Sequence, residues 1–103
     1  MNKLIKDGKV AVVIHTGGGF GWSTMYKDHA EYLLFDAAIA RAVLDGDHAE
    51  VWRLVQEAQP NIYGISSYEG LEVVWVNEGA KFKVLEYDGY ESILTVDDFE
   101  FTA

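Results

Sequence analysis

The run Lys9-Val10-Ala11-Val12-Val13-Ile14-His15, followed at once by Thr16-Gly17-Gly18-Gly19-Phe20-Gly21-Trp22-Ser23, constrains this chain more than any other stretch. A short β-branched run bounded by Gly8 and a glycine cluster suits a central strand buried on both faces. After the cluster, Ser23 or Asp28 can cap a helix, and Asp28-His29-Ala30-Glu31 has the spacing of a capping box. Apolar residues then recur at helical intervals through Ala30, Leu33, Leu34, Ala37, Ala38 and Leu44, and Asp45-Gly46 ends the helix. Asp47-His48-Ala49-Glu50 repeats the cap, and Val51, Leu54, Val55 and Ala58 form a second stripe that Pro60 stops.

Asn61 to Gly70 reads as a loop. Leu71 to Val76 is rich in β-branched and aromatic residues and reads as a strand, and Asn77-Glu78-Gly79 turns the chain. Lys81 to Tyr87 alternates as a half-solvated strand, and Asp88-Gly89 is a hairpin turn that returns Tyr90 to Leu94 as its partner. The tail from Thr95 to Ala103 supplies an edge strand or a docked arm. The order β-α-α-β-β-β predicts a single α+β domain over residues 1–103, with one sheet of three to five strands and the helices on one face.

A length of 103 residues suits one domain, and a hydrophobic content of 50% with 14% aromatics excludes a disordered chain. The absence of cysteine excludes disulfides and thiolate metal sites and fits a reducing cytoplasm. No run reaches membrane-spanning length, so no membrane association is expected. Seventeen acidic against eight basic residues give a net charge of −9, which repels nucleic-acid phosphates and disfavours direct DNA or RNA binding. The same charge suits a protein partner with a basic surface.

The glycine cluster lies between a strand and a helix, where unhindered N–H groups can face an anion. His15, Gly17, Gly18, Gly19, Gly21 and Ser23 are therefore candidate ligands of a phosphate-bearing or nucleotide-like molecule. The spacing matches neither the dinucleotide fingerprint nor the P-loop. The other reading is structural: the glycines supply positive φ and close backbone approach while Phe20 and Trp22 pack into the core. His15 beside Ser23 or Thr24 offers a base and a hydroxyl with no orienting third group, so no catalytic residue is assigned. His29 and His48 each stand two residues before a glutamate, a spacing that makes no chelate on a helix, and neither metal nor cofactor is expected.

Carboxylates crowd the C-terminal third. Glu86, Asp88, Tyr90, Glu91, Asp97, Asp98 and Glu100 form a candidate partner-binding surface, with a solvated hairpin edge as the plainer reading. Tyr63, Tyr68, Trp75, Tyr87 and Tyr90 are numerous for so small a domain, which makes partner binding or self-association an expectation.

Two stretches resemble a family of small uncharacterised phage and prophage proteins. One is the N-terminal strand with Gly18-Gly19-Phe20-Gly21-Trp22-Ser23; the other is Leu71-Glu72-Val73-Val74 leading into Glu86-Tyr87-Asp88-Gly89-Tyr90-Glu91. The chain differs from the family in having Trp22 where an aliphatic residue is usual and an acidic tail in place of a basic one. The resemblance implies a phage accessory protein in the cytoplasm of the infected cell, and no catalytic residue comes with it. The expected function is noncatalytic binding of a host or defence protein. The alternatives are a binder or enzyme of a phosphate-bearing ligand at the glycine turn, and a virion or assembly component.

Overall fold

The apolar run forms β2 (Lys9–His15), and its alternating side chains divide between two cores. The computed structural model describes residues 2–17, 21–58, 70–95 and 101–103. Ala11 and Val13 face Leu33, Ile39, Ala40, Val51 and Val55 of helices α1 (Ala30–Phe35), α2 (Ala37–Leu44) and α3 (His48–Ala58). Val10, Val12 and Ile14 face the other way, onto Phe82 and Val84 of β4 (Lys81–Tyr87). Helix α1 serves both cores, with Leu33 in the first and Leu34 and Phe35 in the second.

The strand is therefore buried on both faces as expected, and the α+β class is the one observed. The strands divide, however, between two antiparallel sheets among the described residues, where the sequence suggested a single sheet. The first sheet has the order β1 (Ile5–Lys6), β2, β3 (Leu71–Asn77). The second runs β5 (Tyr90–Leu94), β4, β6 (Phe101–Thr102), so the tail does supply an edge strand. A continued single sheet would leave Val10, Val12 and Ile14 facing water. Folding the β4–β5 hairpin across them buries that face, with Phe35, Phe82 and Phe101 in mutual ring contact at its centre.

Two tight turns of one kind fix the hairpins. Asp88 and Gly89 have φ of 51° and 83°, the left-handed pair of a type I′ turn, and they set Tyr87 opposite Tyr90. Asp7 and Gly8 repeat it with φ of 53° and 75°, joining β1 to β2.

The long helix expected after the glycine turn is broken. Asp36 is extended in ψ at 122°, and its carboxylate accepts from Ile39 N–H at 3.1 Å to cap α2. The break comes from the N-terminus, because Lys3 bridges to Asp36 and Asn2 O accepts from Ala37 N–H at 2.9 Å. The capping box at Asp28 does not form: Asp28 lies in a 3₁₀ turn over Lys27–His29, and α1 has no side-chain cap. At the second site the cap forms, with Asp47 Oδ1 accepting from Glu50 N–H at 3.1 Å. The box does not close, since Asp47 N–H donates to Ala42 O and the Glu50 carboxylate accepts from Arg53. On the solvent side of α3, Arg53 pairs with Glu50 and Glu57. The Arg53 hydrogen bond holds the Glu50 carboxyl below its usual range, though so exposed a pair adds little stability. Pro60 and the loop containing Tyr63 and Tyr68 lie outside the described residues. No described helix is long and apolar enough to cross a membrane.

Candidate functional site

The β4–β5 register sets Glu86 opposite Glu91, so both carboxylates leave the hairpin on its inner face. Glu91 is only 3% exposed. A buried carboxylate is stable only where donors replace its water, and Glu91 has four. Its Oε1 accepts from His15 N–H at 2.9 Å, while Oε2 accepts from Trp22 N–H at 2.9 Å, Thr24 N–H at 3.1 Å and the Thr24 hydroxyl at 2.6 Å. These donors flank the glycine turn on both sides. The sequence offers the N–H groups of the turn to an external phosphate; the backbone donors observed belong to His15, Trp22 and Thr24, and the anion in this cradle is the protein's own Glu91 side chain.

The other residues singled out at the turn support this arrangement. Neither Gly17 nor Gly21 has positive φ, so close approach is what each provides. A Cβ at Gly21 would collide with the Thr24 hydroxyl and stand 3.4 Å from Glu91 Oε2. Trp22 is fully buried in the first core, as expected, and its indole N–H donates to Leu33 O at 2.9 Å. His15 is buried, with Nδ1 3.4 Å from Gly89 O. Gly70 closes over the same ring: a Cβ there would stand 2.6 Å from His15 Nε2. No sequence signal marked Gly70, because its neighbour in space lies across the fold. Gly18 and Gly19, and Phe20 beside them, lie outside the described residues.

The acidic surface is correspondingly smaller than expected. Glu91 leaves it altogether, because burial on four donors removes its charge from the face a partner could touch. Glu86 and Asp88 stay exposed at the hairpin end, where Glu86 Oε1 accepts from Gly89 N–H at 2.7 Å and braces the turn. Asp97, Asp98 and Glu100 lie outside the described residues. On the outward hairpin face, strand alternation lines up Leu85 and Tyr87 of β4 with Tyr90 and Leu94 of β5. Tyr87 is 80% exposed and Tyr90 55%, so the cross-strand tyrosine pair stands in solvent.

Behind the hairpin, a cleft of about 790 Å³ opens between its inner face and the start of α1, with Ser23, Thr24, His29, Tyr32, Glu86 and Phe101 among its walls. Ser23 is only 2% exposed, and its hydroxyl has no hydrogen-bond partner. Such an orphan costs about 1–3 kcal/mol. Among the described residues no group of histidines and carboxylates is arranged to hold a metal ion.

Burial, with a smaller effect from the Asp36 carboxylate, raises the Tyr32 phenol from 10.0 to about 12. The protonated phenol donates to Leu54 O at 3.3 Å, a bond the phenolate cannot make. A raised folded pKa means that this stabilisation is complete below pH 10 and is lost as pH rises through about 12. Phenolate difference spectra of the wild type should therefore show a late-titrating component that Tyr32→Phe diminishes by one tyrosine. A Tyr32→Phe spectrum that keeps the whole late component would contradict the assignment.

Comparison with models of known protein families, with curated proteins and with solved structures finds no match for this chain.

Proposed function

We propose that this chain is a small acidic phage accessory protein that works without catalysis, by binding a partner protein that carries a basic surface. The observation that supports it most is the outward face of the β4–β5 hairpin, where Leu85, Tyr87, Tyr90 and Leu94 are all exposed. Tyrosines are efficient interface anchors because they bring large amphipathic area at little rotamer cost. Asp88 stands in the turn at the end of that face, and the net charge of −9 steers a basic partner toward the protein. The phage context rests on the glycine turn and the Tyr-Asp-Gly-Tyr-Glu hairpin motif.

The test is affinity capture from infected-cell lysate with the wild type and a Tyr87→Ser/Tyr90→Ser variant. Both positions are solvated, so the variant should unfold within about 0.5 kcal/mol of the wild type per site. The wild type should retain a stoichiometric basic protein that elutes as salt rises, and the variant should bind it at least about 100-fold more weakly. Equal recovery by both proteins, or retention insensitive to salt, defeats the proposal.

A further inference from the structure

We infer that Asp7-Gly8 is a site of spontaneous covalent modification, where the main chain converts to an isoaspartyl linkage through a cyclic imide. The inference concerns the N-terminal hairpin and is independent of the docking role.

Asp-Gly is the dipeptide in which this reaction meets least hindrance, because glycine brings no side chain to the attacking nitrogen. The chain has it at Asp7-Gly8, Asp45-Gly46 and Asp88-Gly89. The structure separates the sites by the state of that nitrogen. Gly46 N–H donates to Val43 O at 3.1 Å, and Gly89 is buried with its N–H donated to Glu86 Oε1 at 2.7 Å. Gly8 is exposed, and among the described residues its N–H has no acceptor. Gly8 is tied to the fold through its carbonyl, which accepts from Glu78 N–H at 2.9 Å, an oxygen the reaction does not use.

Ring closure also requires the backbone to leave the turn, and the hairpin at Asp7 is the easier one to open. β1 pairs with β2 at Ile5↔Val10 and Lys6↔Lys9, and both its residues are exposed. The Asp88 turn is held by the longer β4–β5 ladder and by the buried Glu91 carboxylate.

The atoms balance with water alone. Gly8 N attacks Asp7 Cγ, and its proton leaves with the carboxyl hydroxyl as one water. A water then adds to the imide. Breaking the bond from Gly8 N to Cγ restores aspartate; breaking the bond to the Asp7 main-chain carbonyl carbon routes the chain through Cγ. The added methylene is incompatible with the tight turn that pairs β1 with β2. With β1 released, the Lys3 bridge to Asp36 and the Asn2 carbonyl on Ala37 N–H go too, so the start of α2 loses its clamp.

The test is to age the full chain in mildly acidic buffer, with a parallel sample unfolded in urea, and to map the peptides of both. Isoaspartyl peptides keep their mass and change retention and fragmentation, and the imide is lighter by one water. In the folded protein, isoaspartate at position 7 should exceed that at 45 and at 88 by at least about tenfold, since each rate scales with the locally open population. In urea the three should react alike. Asp7→Asn suits the same turn and should reach the imide faster, by expelling ammonia. In the modified fraction, Ala37 N–H should lose its protection from hydrogen exchange while Trp22 N–H keeps it. The inference is overturned if position 7 reacts no faster than the other two in the folded protein, if its excess persists in urea, or if Ala37 N–H stays protected.

Discussion

Glu91→Ala should destabilise the protein by about 3–5 kcal/mol in urea unfolding, since a buried donor left without an acceptor costs about 1–3 kcal/mol and four are orphaned together. The substitution strips the acceptor from His15 N–H, Trp22 N–H, Thr24 N–H and the Thr24 hydroxyl at once. Against a total stability of about 5–15 kcal/mol for a domain, that is a large share. Glu91→Gln should fall between, at about 2 kcal/mol, because its amide oxygen can serve the donors at Trp22 and Thr24 while its NH₂ is left facing His15 N–H. The order wild type, Gln, Ala identifies acceptor chemistry as the cause. A loss below about 1 kcal/mol for Ala would show that water replaces the carboxylate and that the cradle contributes little.

The same variant tests what the glycine turn can hold. With the Glu91 carboxylate removed, formate supplies the missing group, and at about 100 times its dissociation constant it should restore about 2.7 kcal/mol. Chloride at equal ionic strength should not. The functional consequence follows from geometry. Glu91 ties the start of β5 to the end of β2 and to the segment after the glycines, which fixes the hairpin that presents Tyr87 and Tyr90. Loss of the tie should weaken partner binding even though the outward face is untouched.

Trp22→Ala should cost a similar amount, about 3–5 kcal/mol, through the cavity it leaves in the first core. Trp22 packs there with Ala11, Val13 and Leu33, and truncation also deprives the Leu33 carbonyl of its indole donor. Trp22→Phe keeps part of the volume and loses that bond, so about 1–2 kcal/mol is expected. Trp22→Ala keeps the main-chain N–H that donates to Glu91 but frees the segment carrying it to shift into the emptied core, so the losses of Trp22→Ala and Glu91→Ala should not add. The double variant, measured by urea unfolding, should lose less than the sum. Strict additivity would mean that the core and the cradle are independent.

Much of the framework could be read from neighbours along the chain. The β-branched run of β2, the Asp88-Gly89 turn and the Asp47 cap each depend on a few adjacent residues, and each forms where the sequence placed it. Asp7-Gly8 carries the same turn chemistry as Asp88-Gly89, and β1 follows from it, although Gly8 by itself marks only a boundary of β2. The helix after the glycine turn misled for a physical reason. Its periodicity runs on through Asp36, but the bridge from Lys3 and the Asn2 carbonyl compete for that backbone, and nothing nearby announces them.

The glycine turn and Glu91 mark the division most clearly. The sequence by itself determined that a strand buried on both faces runs into a glycine turn, because backbone sterics and β-branching act over a few residues; it leaves open whether an anion is held there. It also determined that a tight hairpin precedes Glu91. Only the tertiary structure decided that this carboxylate, 67 to 76 residues from its donors, is the anion. The same closure turned the tyrosines outward and buried the Ser23 hydroxyl without a partner among the described residues. A charged side chain reads the same in sequence whether it is solvated or buried. Its fate is set by which donors the packing of two sheets brings within hydrogen-bond distance.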